Sequence, residues 1–323
     1  MKVAILGCGA MGTVLGAYMT KNGCDVEMID SYQAHVDALN EKGAHIVGTV
    51  DFTVPVKAVT PEQMEGIYDI VFLFTKQTAN DVVLPNLLPH LGPDSTVCTL
   101  QNGVPEPYVA SYVGESRTVG GTVLWGATFM EPGVSELTQD LSRNDHLFEI
   151  GEIDGSIGPR IKKVAEVLGY MGPTAVSDSL MASRWGKLIN NACMSYLGRE
   201  VKQCCEAAGY KLPILLHEQS PETLGIVDQA MFNADQEMFL TMYSDMRTAK
   251  ASMLQDLEKG KPTEVRMING YVCQTGDKYG IETPFNDKVV EIVTKIEKGE
   301  LPLSMDNVNL FDRKLFDYEL YHV

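Results

Sequence analysis

At 323 residues the chain exceeds the size at which one hydrophobic core stops growing, so two domains are expected. An apolar share of 45% and a charged share of 21% are ordinary for a soluble globular protein. The net charge of −17 argues against a nucleic-acid or anionic-membrane surface, because both reward positive charge. It leaves room for an anionic small substrate, since a few lysines can make a local positive pocket. The seven cysteines show no CxxC pair and no metal-ligand spacing with histidine, so reduced thiols and no metal site are expected. No leader pattern opens the chain and no apolar stretch reaches membrane-spanning length, so a cytoplasmic location is expected.

Val3 to Leu6 is a run of four apolar residues, the pattern of a strand buried on both faces. It breaks into Gly7-Cys8-Gly9-Ala10-Met11-Gly12, a G-x-G-x-x-G turn. In such a turn the first glycine permits the bend. The second lets backbone N–H groups approach a pyrophosphate, and the third brings the next helix close to the strand. A lone glycine triplet is weak, but here the context is complete. A helical pattern follows (Val14, Leu15, Ala17, Tyr18, Met19), Asn22-Gly23 stops it, and a second strand, Val26 to Ile29, ends on Asp30. The turn residues Gly7 to Gly12 are therefore expected to hold a dinucleotide. Asp30 sits where a carboxylate accepts hydrogen bonds from the adenosine ribose and repels a 2′-phosphate. No arginine precedes Arg117, so NAD(H) is favoured as cofactor, with NADP(H) left open.

Strand and helix go on alternating. Ala34 to Lys42 reads as a helix, and Ala44 to Val47 with Phe52 to Val56 reads as a hairpin. Tyr68 to Phe74 is the clearest buried strand and runs into Thr75-Lys76-Gln77. Val82 to Leu91 reads as a helix, and the strand Thr96 to Leu100 ends in Gln101-Asn102-Gly103. Two buried strands thus stop at polar residues on the carboxyl edge, where open α/β sheets bind ligands. Thr118 to Thr122, Gly126 to Met130 and His146 to Ile150 are expected to complete the sheet. A helix over Ile157 to Leu168 and a strand over Thr174 to Val176 close the first domain. Beyond Ser177 the chain reads as helix after helix: Leu180 to Leu197, Pro221 to about Glu258, Glu264 to Tyr279 and Asn286 to Lys298. Met231, Phe232, Met238, Phe239, Met242, Tyr243 and Met246 make a stripe that suits a core or a homodimer contact. The fold expected is α/β: a Rossmann-type, doubly wound, mostly parallel sheet over residues 1–177, then an all-helical domain over 178–323, with the active site in the cleft between them.

Lys187 and Asn191, four apart, share a helix face in Arg184-Trp185-Gly186-Lys187-Leu188-Ile189-Asn190-Asn191. Taken singly, Lys187 reads as a solvated helix charge, Glu264 as a helix-start residue after Pro262, and Asn102-Gly103 as a turn. In order along the chain, however, several stretches resemble the ketopantoate reductase family. They are the glycine turn, the Lys76 segment, Gln101-Asn102-Gly103 and Trp185-x-Lys187-Leu188-x-x-Asn191. Ser252-Met253-Leu254-Gln255-Asp256 through Thr263-Glu264, Asn269-Gly270 and Tyr279-Gly280-Ile281-x-x-Pro284 extend the likeness nearly full length.

That resemblance implies an NAD(P)-dependent reductase of a branched 2-oxo acid, ketopantoate first, giving the (R)-2-hydroxy acid of pantothenate biosynthesis. It makes Lys187 the catalytic lysine and Glu264 its acidic partner, touching a substrate hydroxyl or the cofactor ribose. It places Lys76 and Asn102 on the cofactor and Asn102, Asn191, Ser195 and Ser252 on the substrate. Two departures stand out. Ser195-Tyr196 replaces the family's second asparagine and proline, and Asp30 replaces its basic residue after the second strand. This combination points as an alternative to an NAD-dependent D-2-hydroxy acid dehydrogenase of the mandelate type. A non-catalytic NAD-binding sensor is a third reading, with no reason to keep both Lys187 and Glu264.

Overall fold

A computed structural model of the chain describes residues 1–192, 196–213, 221, 228–243 and 251–316. They form two units, 1–180 and 181–323.

The first unit runs β1 (Val3–Leu6), α1 (Ala10–Lys21), β2 (Val26–Ile29), α2 (Gln33–Lys42), β3 (Ala44–Gly48), β4 (Phe52–Val54), β5 (Lys57–Val59) and β6 (Tyr68–Leu73). It continues through α3 (Asn80–Leu87), β7 (Leu91–Thr99), α4 (Glu106–Val113), β8 (Thr118–Val123), β9 (Ala127–Glu131), β10 (Val134–Leu137), β11 (Phe148–Glu152), α5 (Pro159–Leu168) and β12 (Thr174–Val176). Eight strands make the main sheet in the order β12-β11-β8-β7-β6-β1-β2-β5. Every pairing in it is parallel except β8 with β11. The strands β1, β2 and β8 are buried along their whole length, as a sheet covered on both faces requires. From β1 the chain first winds toward β5 and then crosses to β6 on the other side. The carboxyl ends of β1 and β6 therefore flank the switch point, where doubly wound sheets open a ligand crevice.

A second sheet, in the order β4-β3-β10-β9, packs over α1. Helix α1 is thus covered on two sides, which explains why Gly12 through Ala17 and Met19 are all buried. Three sequence expectations shift here. The segment around Gly126 to Met130 forms β9 of the second sheet and takes no part in the main one. The hairpin β3–β4 ends at Val54, because Pro55 cannot donate to a ladder, and the chain re-enters the main sheet as β5. The helix expected over Val82 to Leu91 is α3, closed by a 3₁₀ turn over Leu88–His90, and Leu91 already belongs to β7.

The helical unit contains α6 (Leu180–Ala192, its first residue closing the first unit), α7 (Tyr196–Ala207), α8 (Gln229–Tyr243), α9 (Ser252–Glu258), α10 (Asn269–Tyr279) and α11 (Pro284–Glu297). Trp185, Leu188 and Ile189 of α6 pack with Val201, Cys204 and Cys205 of α7 and with Ile268 and Val272. The buried Glu200 carboxylate accepts the backbone N–H groups of Phe285 and Asn286, both at 2.9 Å, and so caps α11 from a neighbouring helix. Burial raises its pKa, and those donors offset only part of the rise. Of the long helix expected from Pro221 to about Glu258, the described residues include α8 and α9, with Ala251 extended before the second, and residues 222–227 and 244–250 lie outside them. The helix expected from Glu264 begins at Asn269; residues 264–268 form turns in which the Glu264 carbonyl accepts from Met267 and Ile268.

Candidate active site

Gly7 has φ +99°, and a Cβ placed on it would lie 2.5 Å from the backbone nitrogen of Thr75, so no side chain fits there. Its N–H donates to the Ile29 carbonyl at 2.8 Å, tying the turn to the end of β2. A Cβ on Gly12 would lie 2.3 Å from the Gly7 carbonyl oxygen, so the helix approaches the strand as closely as backbones allow. Gly9 differs: a Cβ there meets nothing within 4 Å, and as N-cap of α1 it brings no side-chain cap. An uncapped helix N-terminus beside open space fits a dinucleotide pyrophosphate. The residues present therefore match the cofactor that the motif calls for.

Asp30, half-buried at the end of β2, accepts the Tyr32 N–H at 2.9 Å on one carboxylate oxygen. Lys76 follows β6 and Asn102 follows β7, both half-buried. The two loops are joined by side-chain hydrogen bonds, one of them to Asn80, which sequence reasoning did not single out. The Gln101 amide donates to the Thr75 carbonyl (2.7 Å) and to Asn80 Oδ1 (2.7 Å), and the Gln77 amide donates to the Asn102 carbonyl (2.5 Å). These bonds fix the path of Thr75 to Gln77 against Gln101 to Gly103. The structure thus brings the glycine turn, Asp30, Lys76 and Asn102 to one carboxyl edge of the sheet.

In the helical unit, Lys187 and Asn191 lie one turn apart on α6. Lys187 is half-buried, and its amine is pushed down to about 7, first by burial and then by the Arg184 guanidinium one turn earlier. Arg184 is itself only 2% exposed. The side-chain nitrogen of Asn191 is buried and takes no hydrogen-bond partner among the described residues. Glu264 is buried and follows Thr263, whose hydroxyl donates to Glu297 of α11 at 2.6 Å. Ser252 opens α9 and is exposed, and Ser195 lies outside the described residues. Tyr196 is committed to packing: its ring stacks on Phe285 with centroids 4.7 Å apart and meets Phe232 and Phe316. Among the described residues no cluster of histidine, cysteine and carboxylates could hold a metal ion. Nor is any described helix long and apolar enough to cross a membrane.

Two family profiles match consecutive parts of the chain: "Ketopantoate reductase PanE/ApbA" over residues 3–153 and "Ketopantoate reductase PanE/ApbA C terminal" over residues 160–297. The chain belongs to the ketopantoate reductase family. Its resemblance on scattered motifs is thereby borne out, as is the pairing of a Rossmann-type sheet with a helical domain. The 2-dehydropantoate 2-reductase of Pyrococcus abyssi is 31% identical over 295 residues, covering 88% of this chain and 94% of that one. That of Streptococcus pyogenes serotype M1 is 28% identical over 307 residues, covering 91% and 97%. Among solved structures, D-mandelate dehydrogenase with NADH and anilino(oxo)acetate superposes with a TM-score of 0.76 at 22% identity, covering 93% of this chain and 99% of that one. A ketopantoate reductase from Ralstonia eutropha gives 0.74 at 23% identity over the same shares. At those identities the likeness is one of fold. As a ketopantoate reductase-type protein the chain is an NAD(P)-dependent oxidoreductase, and the sensor reading falls away.

Proposed function

We propose that the protein reduces the C2 carbonyl of a branched 2-oxo acid to the (R)-2-hydroxy acid with NADH, ketopantoate being the leading substrate. The observation that carries this reading is Lys187, an amine on α6 pushed to about 7 within the family's C-terminal region. At neutral pH such a group exists in comparable amounts as ammonium and amine. It is suited to giving a proton in one direction and taking it in the other.

When bound, the dinucleotide supplies the hydride that adds to C2. As that bond forms, the C=O π pair moves onto oxygen, and Lys187 as ammonium stabilises the charge and transfers a proton to it, leaving a neutral amine. Glu264 holds Lys187 and accepts from a substrate hydroxyl, while Asn191 donates its amide to an oxygen of the substrate. Asn102 and Lys76 contact the cofactor from the loops after β7 and β6, and Ser195 and Ser252 serve the substrate carboxylate. Asp30 favours NADH through the adenosine ribose. Tyr196 is packed among Phe232, Phe285 and Phe316, so its ring serves the helical core.

The test is side-by-side oxidation of NADH and NADPH with ketopantoate, 2-oxoisovalerate and phenylglyoxylate. Highest kcat/KM with NADH and ketopantoate is expected. A preference for phenylglyoxylate would move the protein to the mandelate-type branch, and turnover of none of the three would overturn the reading.

A further inference from the structure

His35 is the buried residue that the functional account leaves unused. It lies on α2, is 1% exposed, and faces three segments that are far apart in sequence. Its Nδ1 accepts the backbone N–H of Gly133 at 3.0 Å, in the turn between β9 and β10 of the second sheet. A nitrogen that accepts carries no proton, so the proton of the neutral ring is assigned to Nε2. That Nε2–H points at the Cys8 carbonyl oxygen, 2.7 Å away, with Thr13 Oγ1 at 3.1 Å beside it. The Thr13 hydroxyl donates to the same Cys8 oxygen at 2.6 Å. Phe129 of β9 packs edge-on against the ring at 5.1 Å between centroids.

Two donors therefore occupy both lone pairs of one carbonyl, and that carbonyl belongs to the glycine turn. The peptide bond between Cys8 and Gly9 is planar and trans, so the Gly9 N–H points opposite to the Cys8 C=O. Pinning the oxygen on the protein side turns the Gly9 N–H the opposite way, and a Cβ on Gly9 would meet nothing within 4 Å, so the space beside this residue is open. Without the pin, that peptide plane is free to rotate about its flanking dihedrals, and the N–H loses its fixed direction.

We infer that His35, with Thr13, is a positioning residue for the cofactor: it holds the Cys8–Gly9 peptide so that the Gly9 N–H meets the dinucleotide pyrophosphate, and it braces that peptide against the second sheet. Binding affinity for the cofactor is thus set in part by β9 and β10, which carry none of the residues that touch it. The inference rests on the glycine turn being the dinucleotide site.

The experiment measures NADH and NADPH dissociation constants by fluorescence titration of the full chain, with kcat at saturating cofactor alongside. His35→Phe keeps a flat ring against Phe129 and removes both hydrogen bonds; it should weaken binding about tenfold, the scale of losing such bonds at a buried site. Thr13→Val removes the other donor to the same oxygen and should weaken binding in the same direction. His35→Gln restores a neutral donor and should recover most of the wild-type affinity. Because these changes leave α6 untouched, kcat at saturation should stay within about twofold of wild type in all three. A purely structural role predicts something else: lower melting temperatures with unchanged dissociation constants in the folded fraction. That result, or glutamine binding as weakly as phenylalanine in equally stable proteins, overturns the proposal. Should His35→Phe fail to fold, Thr13→Val and His35→Gln decide in the same terms. Failure of the wild type to bind either nucleotide would instead defeat the functional reading itself.

Discussion

The turn after β1 and the helix α6 carry their candidate functional groups in opposite ways. The turn works with backbone: a positive-φ glycine, a close-packed glycine and an open one lead into a helix start with no side-chain cap. Its sequence signature is local, six consecutive residues. Helix α6 works with one side chain whose property comes from its surroundings. Lys187 is an ordinary lysine until burial and the neighbouring Arg184 lower its pKa. One region should therefore govern cofactor affinity and the other the chemical step, and substitutions in each should leave the other's observable nearly untouched.

The sharpest way to break that division is Lys187→Ala. Losing a group that stabilises developing charge costs on the order of 10²–10³ in kcat, while the NADH dissociation constant should move by less than about twofold. Lys187→Met keeps the length and should be nearly as damaging; near-wild-type turnover of a 2-oxo acid by either variant would end the catalytic assignment. Gly7→Ala is the converse. It forces a Cβ onto the Thr75 backbone at positive φ, so cofactor affinity should fall by at least about tenfold and the melting temperature should drop. If Gly7→Ala binds NADH like wild type, the turn is not the cofactor site.

Asp30→Arg should change neither kcat nor the fold, yet shift the NADH-to-NADPH ratio of kcat/KM by about tenfold toward NADPH. An unchanged ratio would remove Asp30 from the cofactor site. The smallest effect concerns His35, whose pKa is lowered by burial, partly offset by its bond to Cys8 and by Asp30. The native state then binds fewer protons than the unfolded chain as pH falls through about 6.5. Stability should therefore decline with acidification from that point, and His35→Gln should remove that part of the decline. Thermal melts at neutral and mildly acidic pH check it.

The same contrast explains how much could be read beforehand. The glycine turn, Asp30 and the polar ends of β6 and β7 announce themselves because each is a local pattern attached to a buried strand. His35, Thr13 and Asn80 do not. The bonds that tie His35 to Thr13, Cys8 and Gly133 span 22, 27 and 98 residues, and that of Asn80 to Gln101 spans 21, so nothing nearby marks them. β5 and β10 are also hard to foresee, since strands of three and four residues carry too little alternation. The turn preceding α10 was hidden by a helical pattern that starts at Glu264, where Thr263 is anchored to Glu297 of α11 and the regular helix waits until Asn269. Lys187 was legible as a candidate only through family order, because a pKa set by burial has no local spelling.

A lysine held near 7 also carries a stability cost that function explains. Between about 7 and its ordinary value near 10.4 the native state binds fewer protons at Lys187 than the unfolded chain does, so stability at this site rises with pH. Lys187→Met should accordingly melt at a higher temperature than wild type at pH 6 while losing catalysis, the trade expected where a site keeps a group the fold would rather exclude.

The most direct test of the account is the pH dependence of kcat/KM for ketopantoate at saturating NADH. In the proposed mechanism the Lys187 ammonium gives the proton, so kcat/KM should be level on the acid side and fall about tenfold per pH unit once the pH passes about 7. The residual activity of Lys187→Met should lack that break. A rate that stays level to pH 9, or a break that survives unchanged in Lys187→Met, would contradict the assignment of the proton to Lys187.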